Sequence, residues 1–182
     1  ALLNLLPDGK HSVAWTSSEI GTHWNTAVHK DGYLYAFDGR NEPDASLVCV
    51  EVKTGKVMWR VAPEWLESNR LMGTFRGTLL SVDGRFLCLG EMGSLHWFDL
   101  TPQGYKELAR TQLFVARETW SSPVLSNGLL YISQHSRDFA TNTPPRLICY
   151  DLRASSAKTA MAALRPLMAM TLPPGWVQAP QR

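Results

Sequence analysis

Apolar and polar positions alternate through Leu47-Val48-Cys49-Val50-Glu51-Val52. Lys53-Thr54-Gly55-Lys56 breaks the pattern, and Val57-Met58-Trp59 resumes it. Leu47, Cys49 and Glu51 point to one side of such a segment, Val48, Val50 and Val52 to the other. Period two over this length predicts a strand, a tight Thr-Gly turn and a second strand ending in tryptophan.

Weaker copies of this unit recur. The first copy runs from Trp24-Asn25-Thr26-Ala27-Val28 through Gly32-Tyr33-Leu34-Tyr35 to Leu47–Glu51. The second runs from Phe75-Arg76-Gly77-Thr78-Leu79 through Gly84-Arg85-Phe86-Leu87 to Leu95–Asp99. The third runs from Trp120-Ser121-Ser122-Pro123-Val124 through Gly128-Leu129-Leu130-Tyr131 to Leu147–Asp151. Glu51, Asp99 and Asp151 recur about 50 residues apart, the period of a four-stranded propeller blade. Asp31-Gly32, Asp83-Gly84 and Asn127-Gly128 each separate two apolar runs. Such pairs tolerate φ > 0 at both central positions, as a two-residue hairpin requires.

The chain resembles the PQQ-like repeat propellers, which include quinoprotein alcohol dehydrogenases and non-catalytic outer-membrane assembly lipoproteins. Their repeat signature is a small residue, a spacer, Asp, two spacers, Thr-Gly, three spacers and Trp. Cys49, Glu51, Thr54, Gly55 and Trp59 fall at those places, with Cys for the small residue and Glu for Asp. The second copy keeps Asp99, inserts a residue at Thr101–Gly104 and puts Leu108 in the tryptophan position. The third keeps Asp151 and loses the pattern at Arg153-Ala154-Ser155. Gly9-Lys10 with Trp15 reads as the end of a preceding blade. The resemblance covers roughly residues 9–153 and implies an all-β chain, a partial β-propeller of four-stranded antiparallel blades.

The expected organisation is then 1–19 as the end of a preceding blade, 20–70 as blade one with a linker turn, and 71–116 as blade two. Residues 117–154 form an incomplete blade three, and 155–182 a non-repeat tail. The linker turn at Pro63-Glu64-Trp65-Leu66-Glu67-Ser68 reads as one helical turn with Pro near its start. Ala157–Leu164 reads as a short helix stopped by Pro166, and the tail either covers an exposed edge or hangs loosely. A closed propeller needs about 4–8 blades and roughly three and a half are present, so the remaining blades are expected from a longer chain or another copy.

A formal net charge of +2 over 182 residues gives no electrostatic case for nucleic acid. No apolar run reaches membrane-spanning length. Ala1–Leu6 lacks the length and basic flank of a signal peptide, so none is visible in this chain. The resemblance implies a periplasmic or outer-membrane-associated bacterial protein. Cys49, Cys88 and Cys149 read as small buried sheet residues.

In a meander blade, the loop leading into the first strand and the loop leaving the second open on the same face. The leading residues are His23-Trp24-Asn25, Thr74-Phe75-Arg76 and Thr119-Trp120-Ser121. The leaving residues are Asp38-Gly39-Arg40-Asn41-Glu42, Glu91-Met92-Gly93 and Gln134-His135-Ser136-Arg137-Asp138. Together they predict a channel mouth, with His23, Trp24, Asn25, Asp38, Arg40, Arg76, Glu91, Trp120, Arg137 and Asp138 as candidate cofactor- or partner-binding residues. Trp24, Phe75 and Trp120 offer π-faces, and Arg76 and Arg137 offer forks for carboxylates. Asp38, Glu91 and Asp138 offer oxygens to a cation such as Ca²⁺. The competing expectation is that the aromatics pack between blades and the charges pair along an exposed rim, contributing about 0–1 kcal/mol per pair.

No Gly-x-Ser-x-Gly, P-loop or His-Glu-x-x-His motif is present. His23 and His29, six apart on one strand, would stand about 20 Å apart, too far to share a metal. His96, between Leu95 and Trp97, reads as a sheet-face residue. The quinoprotein enzymes use PQQ with Ca²⁺ or a lanthanide, a catalytic Asp and an adjacent Cys pair. This chain has no adjacent Cys pair and no matching ligand set. The reading is therefore a binding or scaffold module with a protein partner or small ligand at the propeller face and no cofactor of its own. A quinoprotein dehydrogenase-like enzyme, with PQQ and Ca²⁺, is the alternative.

Overall fold

The computed structural model describes residues 1–40, 44–67 and 69–153. Every regular element among them is a β-strand, and every strand pairing is antiparallel. β1 (Leu2–Leu5) pairs with β2 (His11–Trp15). β3 (Val28–Lys30), β4 (Tyr33–Asp38), β5 (Ser46–Glu51) and β6 (Val57–Val61) form a four-stranded meander. β7 (Glu64–Glu67) and β8 (Arg70–Gly73) form a separate hairpin. β9 (Thr78–Val82), β10 (Arg85–Leu89), β11 (Ser94–Thr101) and β12 (Gly104–Gln112) form the second meander. β13 (Val124–Ser126), β14 (Leu129–Gln134) and β15 (Arg146–Asp151) form a three-stranded meander. The tail proposed as an edge cover lies outside the described residues.

The three Gly-centred turns have the geometry their sequences demand. Asp31 and Gly32 have φ of 51° and 85°, Asp83 and Gly84 48° and 76°, Asn127 and Gly128 50° and 74°. Each pair joins strands that meet directly across it: Lys30 with Tyr33, Val82 with Arg85, Ser126 with Leu129. Positive φ at both positions twists the hairpin in the same sense as its strands.

The alternation around Cys49 sends the two faces of one sheet to different neighbours. Leu47 and Cys49 join Phe86, Cys88, Phe98 and Leu100 of the second meander. Val48 and Val50 pack with Ala36, Val57 and Trp15 of β2. The second meander does the same, since Leu87, Leu89 and Leu95 on its other face meet Leu130, Ile132 and Tyr150 of the third. The sheets thus stack face to face in chain order. Each fully buried aliphatic or aromatic side chain contributes about 1.5–3 kcal/mol.

Tryptophans fix this stacking. Trp15 Nε1 donates to Val52 O at 2.7 Å. Trp59 Nε1 makes the equivalent bond to Thr101 O, also 2.7 Å, in the β11–β12 turn of the next sheet. The strand carrying each tryptophan bulges one residue before it: Cys49 faces Trp59 while Val50 faces Val57, and Leu2 faces Trp15 while Leu3 faces Val13. β1 and β2 therefore stand to the first meander as β5 and β6 stand to the second. The same bulge in β12 sets Trp97 against Ala109 and Phe98 against Glu107. Ala109, not Leu108, thus occupies the tryptophan position. The extra bulge residue shifts the pairing by one, which a count along the chain does not reveal.

Two other expectations are corrected. Glu64–Glu67 is a strand rather than a helical turn, paired with Arg70–Gly73 through Trp65–Met72 and Leu66–Leu71. Asn69, at φ 60°, reverses the chain, and four residues with a ready cross-strand partner have no length for a stable helix. The first strands also start later than their apolar runs, at Val28, Thr78 and Val124. Trp24, Phe75 and Trp120 consequently lie on the loops ahead of them.

Gly55 separates two causes of strain. Its φ is +75°, and a Cβ there would come within 2.7 Å of the Trp15 ring; Gly32, at φ +85°, has open space around it. Gly32→Ala should cost only the left-handed backbone strain, about 1–2 kcal/mol. Gly55→Ala should cost at least about 2 kcal/mol more, because the Trp15 contact must also open. Equilibrium urea unfolding of the two variants checks this difference.

Candidate functional site

Part of the predicted residue set gathers on one buried carboxylate. The turn Gly90–Ser94 closes through Gly90 N to Ser94 O at 2.7 Å and Gly93 N to Gly90 O at 2.9 Å. It places Glu91 between the loops that lead into the second and third meanders. Glu91 N donates to Thr74 O at 3.1 Å, and Thr119 N donates to Glu91 O at 3.1 Å. Glu91 is 1% exposed. Its Oε2 accepts Arg76 Nε at 2.8 Å, and its Oε1 accepts Arg76 Nη2 and Trp120 Nε1, the latter at 2.8 Å.

Arg76 is fully engaged. Its Nη1 donates to Arg40 O at 2.7 Å. Its guanidinium carbon lies 4.6 Å from the Trp24 ring centre and 5.5 Å from that of Trp120. The two indoles lie 4.5 Å apart at 33°, and His23 packs on Trp24 at 4.7 Å. Trp24 stands on the loop ahead of the first meander, Arg76 ahead of the second and Trp120 ahead of the third. The group therefore clasps three successive sheets. Delocalised, weakly hydrated guanidinium suits burial between π-faces better than an ammonium would. The competing expectation from the sequence paired such charges on an exposed rim. Here the pair is buried, so removing one partner leaves the other charged and dry.

The other predicted residues do not join this cluster. Asn25 Nδ2 donates to Gly77 O at 2.5 Å and ties the first loop to the second. Asp38 accepts Gly21 N at 2.5 Å and pairs with Arg60. Asp138, 2% exposed, accepts Ala140 N at 2.7 Å and Thr141 N at 3.2 Å inside its own loop. Arg137 donates to Asn142 O at 2.7 Å. Phe75, at φ 46°, turns away from the indoles and touches the Gly73 position. Asn41–Pro43 lie outside the described residues.

This geometry does not fit a Ca²⁺ or quinone site. Asp38, Glu91 and Asp138 serve three separate hydrogen-bond systems, and the Arg76 fork is occupied by Glu91. Among the described residues no group of three or more His, Cys, Asp or Glu side chains is placed to hold a metal. Cys49, Cys88 and Cys149 are buried free thiols. Burial pushes the Cys49 and Cys88 thiols above their ordinary range, which keeps them protonated and unreactive.

Sequence reasoning missed a second constellation. His96 lies on a sheet face, as expected, and is buried there at 1% exposure. Its Nε2 meets Ser94 Oγ at 2.9 Å and its Nδ1 meets Glu107 Oε2 at 3.0 Å. Ser94 and His96, two apart on β11, share a face. The β12 bulge aims Glu107 at them. The order Ser–His–Glu matches that of a nucleophile, base and orienting acid. Ser94 is 0% exposed, however, so the trio is a hydrogen-bonded network buried at Ser94 and His96 and partly exposed at Glu107. The period-two spacing of Ser94 and His96 was its one visible signal.

Burial lowers the His96 pKa to about 4, with Glu107 partly offsetting the shift. An unfolded histidine titrates near 6.5. The unfolded chain therefore binds a proton that the folded chain refuses between about pH 6.5 and 4, and stability falls as pH drops through that window, by about 3 kcal/mol in all. His96→Gln, which retains hydrogen bonding, should flatten the decline measured by urea midpoints across this range. Glu91→Gln, which removes the charge facing Arg76, should cost about 3–5 kcal/mol at neutral pH in the same assay.

Among the described residues no helix is long and apolar enough to cross a membrane. No family model matches the chain, and no curated protein matches it.

Proposed function

We propose that the stacked meanders are successive blades of a PQQ-like repeat propeller that acts as a binding or scaffold module in a bacterial envelope, periplasmic or associated with the outer membrane. The single observation that carries this reading is the Glu91–Arg76–Trp24–Trp120 clasp. Its charges and π-faces are spent on one another, so the mouth works as a joint between sheets, and recognition falls to the loops around it. Repetition of the tryptophan bond at Val52 and Thr101 supports the propeller reading.

The loop 135–145 is built for presentation. Gln134, 1% exposed, donates to Ser136 O at 2.9 Å and accepts Arg146 Nε at 3.0 Å. Asp138 N donates to Thr143 O at 2.9 Å, and Phe139 N donates to Val115 O at 2.8 Å. The ordered loop leaves Phe139 59% exposed, with Arg117 5.9 Å from its ring centre. A preformed loop showing an aromatic and an arginine binds with little ordering cost. The quinoprotein reading gains no ligand set from these residues.

The experiment compares Phe139→Ala/Arg137→Glu with the unchanged protein by cross-linking and co-purification from envelope extracts. Loss of a specific partner with unaltered far-ultraviolet circular dichroism is the expected result; an identical interaction profile would overturn the loop assignment. Titration with PQQ and Ca²⁺ should leave no retained quinone absorbance, and stoichiometric retention would restore the enzyme reading.

A further inference from the structure

Another serine–histidine pair lies at the surface, where the loop leading into the third meander meets the end of β14. Ser121 and His135 are both exposed. Ser121 Oγ lies 3.1 Å from His135 Nε2, and His135 Nδ1 lies 2.6 Å from Glu118 O. A carbonyl oxygen only accepts, so the Glu118 contact requires the imidazole proton on Nδ1. Trp120 N, 3.3 Å from the same Nδ1, donates instead to Glu118 O at 2.9 Å. In neutral His135 the Nε2 lone pair then faces the Ser121 hydroxyl and accepts its proton.

The backbone on either side of His135 is pinned. Gln134 is buried and donates to Ser136 O, and Ser136 Oγ donates to Arg117 O at 2.9 Å. Glu118, at φ 61°, presents one carbonyl to both His135 and Trp120. A nucleophile hydroxyl, a base within hydrogen-bond reach and a third group that orients the base make up the arrangement of an activated serine. Ser94 and His96 show the same connectivity but are sealed from solvent, whereas Ser121 is open to it. Ser122 follows Ser121 and is also exposed, and its main-chain N–H has no acceptor among the described residues.

We propose that Ser121 is a nucleophile with His135 as its general base, and that the pair transfers the acyl group of a small activated carboxylic ester to water. Ser121 Oγ bonds to the ester carbonyl carbon as the π pair moves onto the carbonyl oxygen, and His135 Nε2 takes the Ser121 proton. The Ser122 N–H, next along the chain, is available to the oxyanion that forms. The carbonyl re-forms as the C–O bond to the alcohol breaks, and His135 returns the proton to the departing alcohol. Water then attacks acyl-Ser121 by the same sequence, which releases the acid and restores the serine. Ester and water thus become acid and alcohol, with no oxidant or reductant. Both side chains stand at the surface, so an ester with a good leaving group suits them better than one that needs an enclosed acyl pocket. The inference goes beyond the scaffold reading and does not depend on it, because it uses only the Ser121–His135–Glu118 geometry.

The test incubates the whole chain with a biotinylated fluorophosphonate, which forms a P–O bond to an activated serine as fluoride leaves, and maps the labelled peptide by mass spectrometry. Labelling at Ser121 is the expected result, slowed at least about 100-fold in His135→Gln, the scale of general-base assistance. Hydrolysis of p-nitrophenyl acetate above the buffer rate should be lost in Ser121→Ala. Both substitutions fall on exposed residues, and far-ultraviolet circular dichroism checks that each variant is folded. No label on Ser121 in the unchanged protein would overturn the proposal whatever the variants do. Equal labelling of a folded His135→Gln would overturn it as well, since the serine would then react without its base.

Discussion

A buried carboxylate held by one arginine organises the best-connected part of this chain. Glu91 comes from a five-residue turn closed on itself, and Arg76 from the loop ahead of the same sheet. Their pair is stable only because Trp24 and Trp120 exclude water and Trp120 supplies a further donor. Those indoles belong to the neighbouring sheets. The electrostatic requirement of one residue thereby becomes a positional requirement on three sheets. The backbone bonds of Glu91 to Thr74 and Thr119 reinforce the same junction.

Below the clasp, the sheets are held by different physics. The first and second meanders are narrow and bury both faces, one against the preceding sheet and one against the following sheet. Cys49 and Phe86 meet across one such boundary, Leu89 and Leu130 across the next. Trp15 and Trp59 then dock on the turns of the following sheets. A turn that carries an indole must offer a carbonyl and a smooth surface, and Gly55 supplies the second. The tryptophan–turn bonds and the Glu91 clasp therefore both hold neighbouring sheets together.

How much of this was visible in the sequence depended on the range of the interaction. The Asp-Gly and Asn-Gly turns were legible because their φ angles are local properties of those residues. The alternation through Cys49 was legible because both faces are buried and either phase of the pattern remains apolar. The β7–β8 hairpin was missed because Trp65 acquires its meaning only from Met72 across the chain reversal. Leu108 was misplaced because a bulge changes register without changing composition. Trp24, Arg76, Glu91 and Trp120 lie together in the structure, but nothing local in the sequence distinguishes an exposed rim pair from a buried clasp. Asp38 and Asp138 resembled Glu91 in sequence and were taken up by Arg60 and by their own loop.

The central claim is that the Glu91 clasp is a joint between sheets. The most direct measurement is the coupling free energy between Trp24 and Trp120, from a double-mutant cycle of Trp24→Leu and Trp120→Leu in equilibrium urea unfolding. The residues are far apart in sequence, and their indoles lie 4.5 Å apart beside the Arg76 guanidinium. A coupling of about 1 kcal/mol or more, smaller in an Arg76→Met background, is the predicted result. Strict additivity of the two substitutions would contradict it.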